Sequence, residues 1–156
     1  KTQIAQIVFE KRQETNPCSL CAKMRKGALN HAIKELRRNK VAYAHHCDDV
    51  IETLMMSMIY EGRIHTFSPV TVLAQADITV IRPLLYLSEA DIIGFVHKYN
   101  VPVVKSPCPA DGNTKRAYIK KRLRQLNLEN PGVKKRMFTA IQKSEMKDWR
   151  EYYGSH

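Results

Sequence analysis

Residues 41–53 bring together side chains that could do chemistry. A short apolar run at 41–44 gives way at once to five polar or ionisable residues: His45, His46, Cys47, Asp48 and Asp49. The apolar run predicts a buried strand, and the spacing from Val50 onward predicts a helix. In open α/β sheets, side chains between a strand and the next helix line the crevice that binds ligands. This histidine–aspartate turn is therefore a candidate functional site.

A structural role for the same turn is also compatible with the sequence. Aspartates favour helix N-termini because a carboxylate accepts the unpaired amide protons there. Asp49 at the cap and Glu52 three residues later would form a capping box. Neither histidine is needed for such a cap, which favours a functional interpretation.

Cysteines form a second candidate site. Cys18 and Cys21 make a C-x-x-C at the start of a predicted helix, and Cys108 stands between two prolines. A C-x-x-C supplies half of a metal site, and a proline-flanked cysteine suits a remote ligand. Three thiolates fit either an iron–sulfur cluster with one open iron or zinc with a fourth ligand. Cys47 is not expected to join, because it lies inside the histidine–aspartate turn.

Length and charge restrict the class of protein. The 156 residues fit one ordinary domain, and Lys and Arg number 26 against 15 acidic residues, a net charge of +11. Such an excess predicts a polyanionic partner, although a merely basic surface is the alternative. No run approaches the roughly 18 to 20 apolar residues that span a bilayer, and no secretory pattern opens the chain. We therefore predict a cytoplasmic protein without a membrane partner.

Periodicity predicts alternating helices and strands, hence an α/β fold with a mainly parallel sheet flanked by helices. Residues 2–14 fit either a strand or an amphipathic segment. Ser88 and Asp91 form a capping sequence for the helix at 89–99, which should bury Ile92, Ile93, Phe95 and Val96. The predicted helices cover 22–39, 49–60, 89–99, 113–126 and 133–153, and the predicted strands cover 41–44, 67–73 and 78–81.

Four motifs in order carry a family resemblance. They are Cys18-Ser-Leu-Cys21 with Arg25-Lys26-Gly27, Ala44-His-His-Cys-Asp-Asp-Val-Ile-Glu-Thr53, Ile81-Arg-Pro-Leu84, and Cys108-Pro-Ala-Asp-Gly112. Together they resemble the tRNA 2-thiocytidine biosynthesis family of PP-loop ATP pyrophosphatases, whose fold is adenine nucleotide alpha hydrolase-like. The match covers about two thirds of the chain, from Cys18 to about Arg122. The histidine–aspartate turn taken alone also resembles the tRNA lysidine synthetases.

The resemblance implies an ATP-dependent tRNA sulfurtransferase. Family members adenylate the C2 carbonyl of an anticodon-loop cytidine and then replace that oxygen with sulfur. It implies a [4Fe–4S] cluster, ATP and Mg²⁺ as cofactors, and tRNA, ATP and a sulfur donor, either cysteine desulfurase or sulfide, as partners. A homodimer is also expected, because thiolases of this kind often pair.

The resemblance also assigns residues. Cys18, Cys21 and Cys108 fall on the cluster ligands, and the open iron would carry the incoming sulfide. Asp48 and Asp49 fall on the acidic turn that serves ATP and magnesium, where carboxylates suit a hard cation. His45 and Arg25 complete the candidate catalytic set, with Arg25 one turn after the C-x-x-C.

The basic helix at 113–126 gains a role from this resemblance. Its cations would contact RNA phosphates, and a solvated helix face is the alternative. The candidate RNA-contacting residues are Lys115, Arg116, Lys120, Lys121 and Arg122. We therefore predict a PP-loop α/β domain part at 1–112 and a basic helical, tRNA-contacting tail at 113–156.

Two departures from the family pattern qualify the resemblance. The Ser-Gly-Gly-x-Asp-Ser phosphate loop is absent from this chain, so we expect it to lie in an amino-terminal segment that precedes Lys1. Many relatives have a second cysteine where this chain has Asp111, which leaves three ligands and favours an open iron. The alternatives are a zinc-containing RNA-binding module without catalysis and a lysidine synthetase-like ligase without a cluster.

Overall fold

The computed structural model describes residues 2–11, 17–104, 108, 112, 114–146 and 149. A short helical turn at Ile4–Gln6 continues as a π-helix over Ile7–Lys11, which settles the choice that the sequence left open for this segment. The remaining elements are α1 (Pro17–Glu35), β1 (Lys40–Ala42), α2 (Cys47–Glu61), β2 (Val70–Leu73), β3 (Ile78–Ile81), α3 (Glu89–Lys98), α4 (Lys115–Glu129) and α5 (Val133–Gln142). The α/β class is confirmed.

The three strands form one sheet in the order β1-β3-β2. Strand β1 runs parallel to β3. Thr79 N donates to Asn39 O and Tyr43 N donates to Ile81 O, so residue numbers increase in the same direction along both strands. Strands β2 and β3 form a hairpin across a single 3₁₀ turn at Ala74–Ala76. Strand β3 has the bounds that the sequence predicts, and it buries Ile78 and Val80.

The described chain divides into two compact units, residues 1–41 with 72–80 and residues 42–71 with 81–156. The second unit contains the histidine–aspartate turn and a core of eight buried residues. These are Val50, Ile51, Leu85, Ile119, Leu123, Phe138, Ile141 and Trp149. Met55 and Met56 pack against this core, as expected for methionines that fill gaps between helices. In this core, α2 packs against α4 and α5.

Two helix predictions differ from the structure. The last helix ends at Gln142 rather than continuing to residue 153, although Trp149 is buried. Helix α3 begins at the predicted Ser88 cap, yet Ile93 is 50% and Phe95 58% exposed. Periodicity marks the apolar face of a helix, but it does not establish that another element covers that face. Among the described residues, no helix is both long and apolar enough to span a membrane.

Candidate active site around the histidine–aspartate turn

Helix α2 starts two residues earlier than predicted, and its cap is a histidine. His46 has extended backbone, and its Nδ1 accepts from Asp49 N at 3.4 Å. The Asp49 carboxylate in turn accepts from His46 N at 3.0 Å. The capping box therefore pairs His46 with Asp49 rather than Asp49 with Glu52, so one of the two histidines is part of the cap, contrary to the expectation that neither is needed for it. An imidazole acceptor here does the work of a serine or aspartate oxygen.

Asp48 lies at the centre of a buried network. It is 5% exposed, and its Oδ1 accepts from Lys134 Nζ of α5 at 2.7 Å. Its Oδ2 accepts from the backbone amide of Glu89, the first residue of α3, at 2.8 Å. Burial alone would raise the pKa of Asp48, but the Glu89 amide and the Lys134 ammonium outweigh burial and hold it below its usual value. This one carboxylate therefore joins three helices.

Cys47 adjoins this network and differs from the other cysteines. Burial, followed by the neighbouring Asp48 carboxylate, raises the pKa of the Cys47 thiol to about 12. The Cys47 Sγ lies 3.7 Å from Asp48 Oδ2, to which it donates. A thiol with so high a pKa carries almost no thiolate at neutral pH, so Cys47 is a poor nucleophile. The environment of Cys47 therefore disfavours its thiolate, and this agrees with the expectation that Cys47 does not join the other cysteines.

Asp49 and Glu52 share one arginine. Arg116 Nη1 of α4 lies 3.0 Å from Glu52 Oε2 and 3.6 Å from Asp49 Oδ1, and its Nη2 donates to Thr53 Oγ1 at 3.1 Å. Burial raises the pKa of Glu52, and Arg116 offsets only part of that rise. Asp49 is the more accessible of the two adjacent aspartates. It is therefore the carboxylate of the turn that a ligand could reach.

His45 is held by a second arginine. Arg82, which follows β3, donates from Nε to His45 Nδ1 at 3.3 Å. The imidazole ring packs against Phe67 at 4.7 Å and edge-on against Tyr43 at 5.5 Å between ring centroids. Burial lowers the pKa of His45, and although Asp49 acts in the opposite direction, Arg82 adds to the decrease. A neutral His45 that accepts at Nδ1 carries its proton on Nε2.

The predicted cluster cysteines fall in both units. Cys18 is exposed and Cys21 half-buried in the first turn of α1, three residues apart and so on one face. Cys108 is half-buried in the second unit. Within the described parts of the chain, no three histidine, cysteine or acidic side chains are grouped to hold a metal ion. Three thiols are the donor type that an iron–sulfur cluster takes, and the three-cysteine ligand set stays a prediction.

The basic helix α4 uses two of its cations within the fold. Arg116 pairs with Glu52 and Asp49, and Lys120 forms an ion pair with Glu89. The other predicted RNA contacts are placed differently: Lys115 lies over the Tyr60 ring, Arg122 lies over the Tyr118 ring, and Lys121 is exposed. Arg25 is exposed on α1 in the first unit. Among the described residues, those three α4 cations form no ion pair, and RNA contact by the helix stays a prediction.

Sequence reasoning missed three partners of the turn. Lys134, Glu89 and Arg82 carried no assigned role, although Arg82 stands in the Ile81-Arg-Pro-Leu84 motif. Lys134 and Arg82 lie 86 and 37 residues from the partners they contact. The motif was the only feature of the sequence that pointed to any of these partners, because contacts between residues so far apart leave no local periodicity.

Comparisons with known proteins agree with the motifs. The PP-loop domain model matches residues 2–127. The tRNA-cytidine(32) 2-sulfurtransferase of Geobacter sulfurreducens is 37% identical over 138 residues, which cover 86% of this chain and 54% of that protein. A tRNA-cytidine(32) 2-sulfurtransferase 1 of Francisella tularensis subsp. holarctica is 36% identical over 137 residues, which cover 86% of this chain and 55% of the relative. The chain thus spans about half the length of the relatives it matches.

A solved structure has the same fold. The U34-tRNA thiolase NcsA from Methanococcus maripaludis, with its [4Fe-4S] cluster, superposes with a TM-score of 0.67 at 24% identity. The match covers 86% of this chain and 45% of the thiolase chain. At this identity the likeness establishes the fold alone. Together with the family match, it confirms that the chain belongs to the PP-loop family and resembles its tRNA 2-thiocytidine biosynthesis members.

Proposed function

We propose that this chain is part of an ATP-dependent tRNA sulfurtransferase that thiolates C2 of an anticodon-loop cytidine. The observation that carries the proposal is the 37% identity over 138 residues to a tRNA-cytidine(32) 2-sulfurtransferase. Three cysteines placed as the family resemblance implies, and a net charge of +11, support it. The tRNA would lie along the basic surface, and we place the protein in the cytoplasm, where its tRNA and ATP are found.

The reaction has two steps that balance. The cytidine O2 attacks the α-phosphorus of ATP, a P–O bond breaks, and pyrophosphate leaves. A sulfur nucleophile then adds to C2, and the C2–O bond breaks with release of AMP, which leaves a C2=S group. Sulfide, as HS⁻, supplies the sulfur and loses its proton as the C2=S group forms, with no net oxidation of the base. If a cysteine desulfurase is the donor, its persulfide sulfur must first be reduced to sulfide by two electrons from a thiol reductant.

The histidine–aspartate turn would serve the first step. Asp49 is accessible and anchored by His46 and Arg116, so its carboxylate is preorganised toward Mg²⁺ and the ATP phosphates. Each carboxylate oxygen of Asp48 already accepts a hydrogen bond, so Asp48 would fix the conformation of the turn rather than bind the metal. His45, neutral and with Nε2–H outward from the Arg82 bond, would orient the nucleotide by donating a hydrogen bond.

Three thiolates would serve the second step. Cys18, Cys21 and Cys108 would hold a [4Fe–4S] cluster, with Arg25 one turn along α1 to balance its charge. When bound, the cluster would supply an open iron that carries sulfide. Cys47 would take no part, since its thiol stays protonated.

Metal content of protein purified without oxygen tests the proposal. We expect about four iron and four acid-labile sulfide per chain, lost in Cys18→Ser and Cys108→Ser. Cys47→Ser is the matched control and should keep the cluster. Thiolation of tRNA, read as 2-thiocytidine by mass spectrometry, should follow iron content.

Two results would replace the proposal with an alternative. Stoichiometric zinc without thiolation would indicate the RNA-binding module. Absence of metal, with ATP-dependent tRNA modification that survives Cys18→Ser, would indicate a lysidine synthetase-like ligase.

A further inference from the structure

Arg82 is held by neutral acceptors alone among the described residues. Besides the bond to His45, its Nη1 donates to Ser68 O at 2.6 Å and to Thr71 Oγ1 at 2.9 Å. The guanidinium carbon also lies 4.8 Å above the centre of the Phe67 ring. These contacts fix the plane of the guanidinium without cancelling its charge.

The cation therefore retains both charge and hydrogen-bonding capacity. Within the described parts of the chain, Arg82 forms no ion pair, and its Nη2 donates to no protein acceptor. Burial lowers the pKa of Arg82, although its pKa stays far above neutrality, as for any arginine. A half-buried, fully charged guanidinium with two spare N–H groups is costly to leave uncompensated, and an anionic ligand removes that cost.

A cavity of about 380 Å³ adjoins this guanidinium. Its lining combines polar and apolar side chains, which come from the loop before β2, from β2 itself, from the residue after β3 and from the chain near α5. The lining residues are Ile64, His65, Thr66, Phe67, Ser68, Thr71, Arg82 and Met146. No aspartate or glutamate is among them, so nothing in the lining repels an anion. The volume suits a small ligand or one part of a larger ligand.

We propose that Arg82 and this cavity form a phosphate-binding site beside His45. The ligand would be a phosphoryl group, because a fixed guanidinium edge matches the oxygens of phosphate. In the proposed reaction, two sources could supply that group: the pyrophosphate end of ATP and the backbone of the tRNA. The site deepens the proposed function, and it rests on that function only for the identity of the source.

Calorimetric binding of two probes tests the site without turnover. Inorganic pyrophosphate reports a nucleotide source, and an oligouridylate, which has a phosphate backbone but no cytidine, reports an RNA source. The variant is Arg82→Gln, and the control is Arg63→Gln, which removes an exposed arginine that pairs with Glu61. We expect Arg82→Gln to weaken pyrophosphate binding about tenfold or more, with Arg63→Gln unchanged, because a charge-assisted bond is lost.

Arg82→Lys keeps the charge but loses the planar fork, and it should fall between the wild type and Arg82→Gln. If Arg82→Gln does not fold, phenylglyoxal labelling of the wild type replaces it. Pyrophosphate should then protect Arg82 from modification, and Arg63 should stay reactive.

Each outcome decides the proposal. Weaker oligouridylate binding in Arg82→Gln, without an effect on pyrophosphate, would retain the phosphate site and assign it to RNA. Equal binding of both probes by wild type and Arg82→Gln, or labelling of Arg82 that neither probe reduces, would overturn it. Because binding is measured without a cluster or a sulfur donor, its failure is distinct from failure of the thiolation proposal.

Discussion

Arg116 and Arg82 approach the histidine–aspartate turn, yet their charges are balanced in different ways. Arg116 faces two carboxylates, Asp49 and Glu52, within 3.6 Å. Arg82 faces an imidazole nitrogen, a carbonyl and a hydroxyl, and all three are neutral when His45 is deprotonated. Lys134 belongs with Arg116, because it is matched by the buried Asp48.

The difference separates cations that stabilise the fold, Lys134 and Arg116, from Arg82, whose charge is available to bind an anion. A matched pair has little net charge, so removing one member leaves a buried charge without a partner. An unmatched arginine held by neutral acceptors loses only ordinary hydrogen bonds when it is replaced, but it also loses its attraction for an anion. Stability should therefore respond mainly to Lys134 and Arg116, and anion binding mainly to Arg82.

The largest effect on stability is expected at Lys134. Lys134→Met removes the ammonium 2.7 Å from Asp48 Oδ1 and leaves that carboxylate buried with the Glu89 amide as its main support. We expect a loss of about 2 to 3 kcal/mol, somewhat below the range for fully buried pairs because the Lys134 side chain is 29% exposed. Urea denaturation measures the loss.

The matched control is Lys135→Met, the exposed neighbour on α5, which should change stability little. Losses of equal size in the two variants would show that the Asp48 pair contributes nothing special and would remove Lys134 from the matched class.

A smaller loss is expected at Arg116. Arg116→Gln should cost about 1 to 2 kcal/mol, because the buried Glu52 keeps its carboxylate but loses its cation. Adding Glu52→Gln should recover part of this loss, because the buried side chain at position 52 is then uncharged and no longer needs a cation. A double-mutant cycle measures the coupling.

Arg82→Gln, which breaks no ion pair, should lose less stability than Arg116→Gln and gain nothing from Glu52→Gln. If Arg82→Gln proved the more destabilising of the two, the distinction between matched and unmatched arginines would fail.

The smallest effect concerns pH. Because the folded pKa of His45 lies below its unfolded value, protonation favours the unfolded chain. His45 therefore contributes stability that is present above the unfolded pKa of about 6.5 and lost as pH falls through the folded pKa. Thermal denaturation between neutral and mildly acidic pH should show this loss.

The loss should shrink in His45→Gln and persist in His97→Gln, which alters an exposed histidine on α3. Unchanged pH dependence in His45→Gln would show that the imidazole is not held neutral by its surroundings.

Local features of the fold were predictable from the sequence. Ile78–Ile81 is a β-branched run between Asp77 and Arg82-Pro83, so both ends of the strand are marked. Ser88 and Asp91 form the capping box that their spacing predicts, since both are common at helix starts. The cap at His46 was missed because imidazole nitrogen lies outside the usual set of cap acceptors.

The position of the candidate site was also predictable, but its connections were not. A strand followed by His45–Asp49 indicates a crevice from local pattern alone. The partners Arg82, Arg116 and Lys134 come from later parts of the chain, and local sequence pattern does not show which group of the turn each cation contacts. Burial of α3 was wrong for a related reason, because the partner of an apolar face is a property of the whole fold.

Within the described residues, the hydrogen bond and ion pair that tie helix α3 to other helices lie at its first residue. Its first amide bonds to Asp48, and Glu89 pairs with Lys120, whereas none of its residues is buried. We therefore expect the C-terminal turns of α3 to exchange their amide protons before α2 does, because local opening begins where few groups are buried. In hydrogen-exchange terms, a structural change at the start of α3 would reach the histidine–aspartate turn through Asp48 and through the bond from Cys47 N to Leu87 O just before the helix.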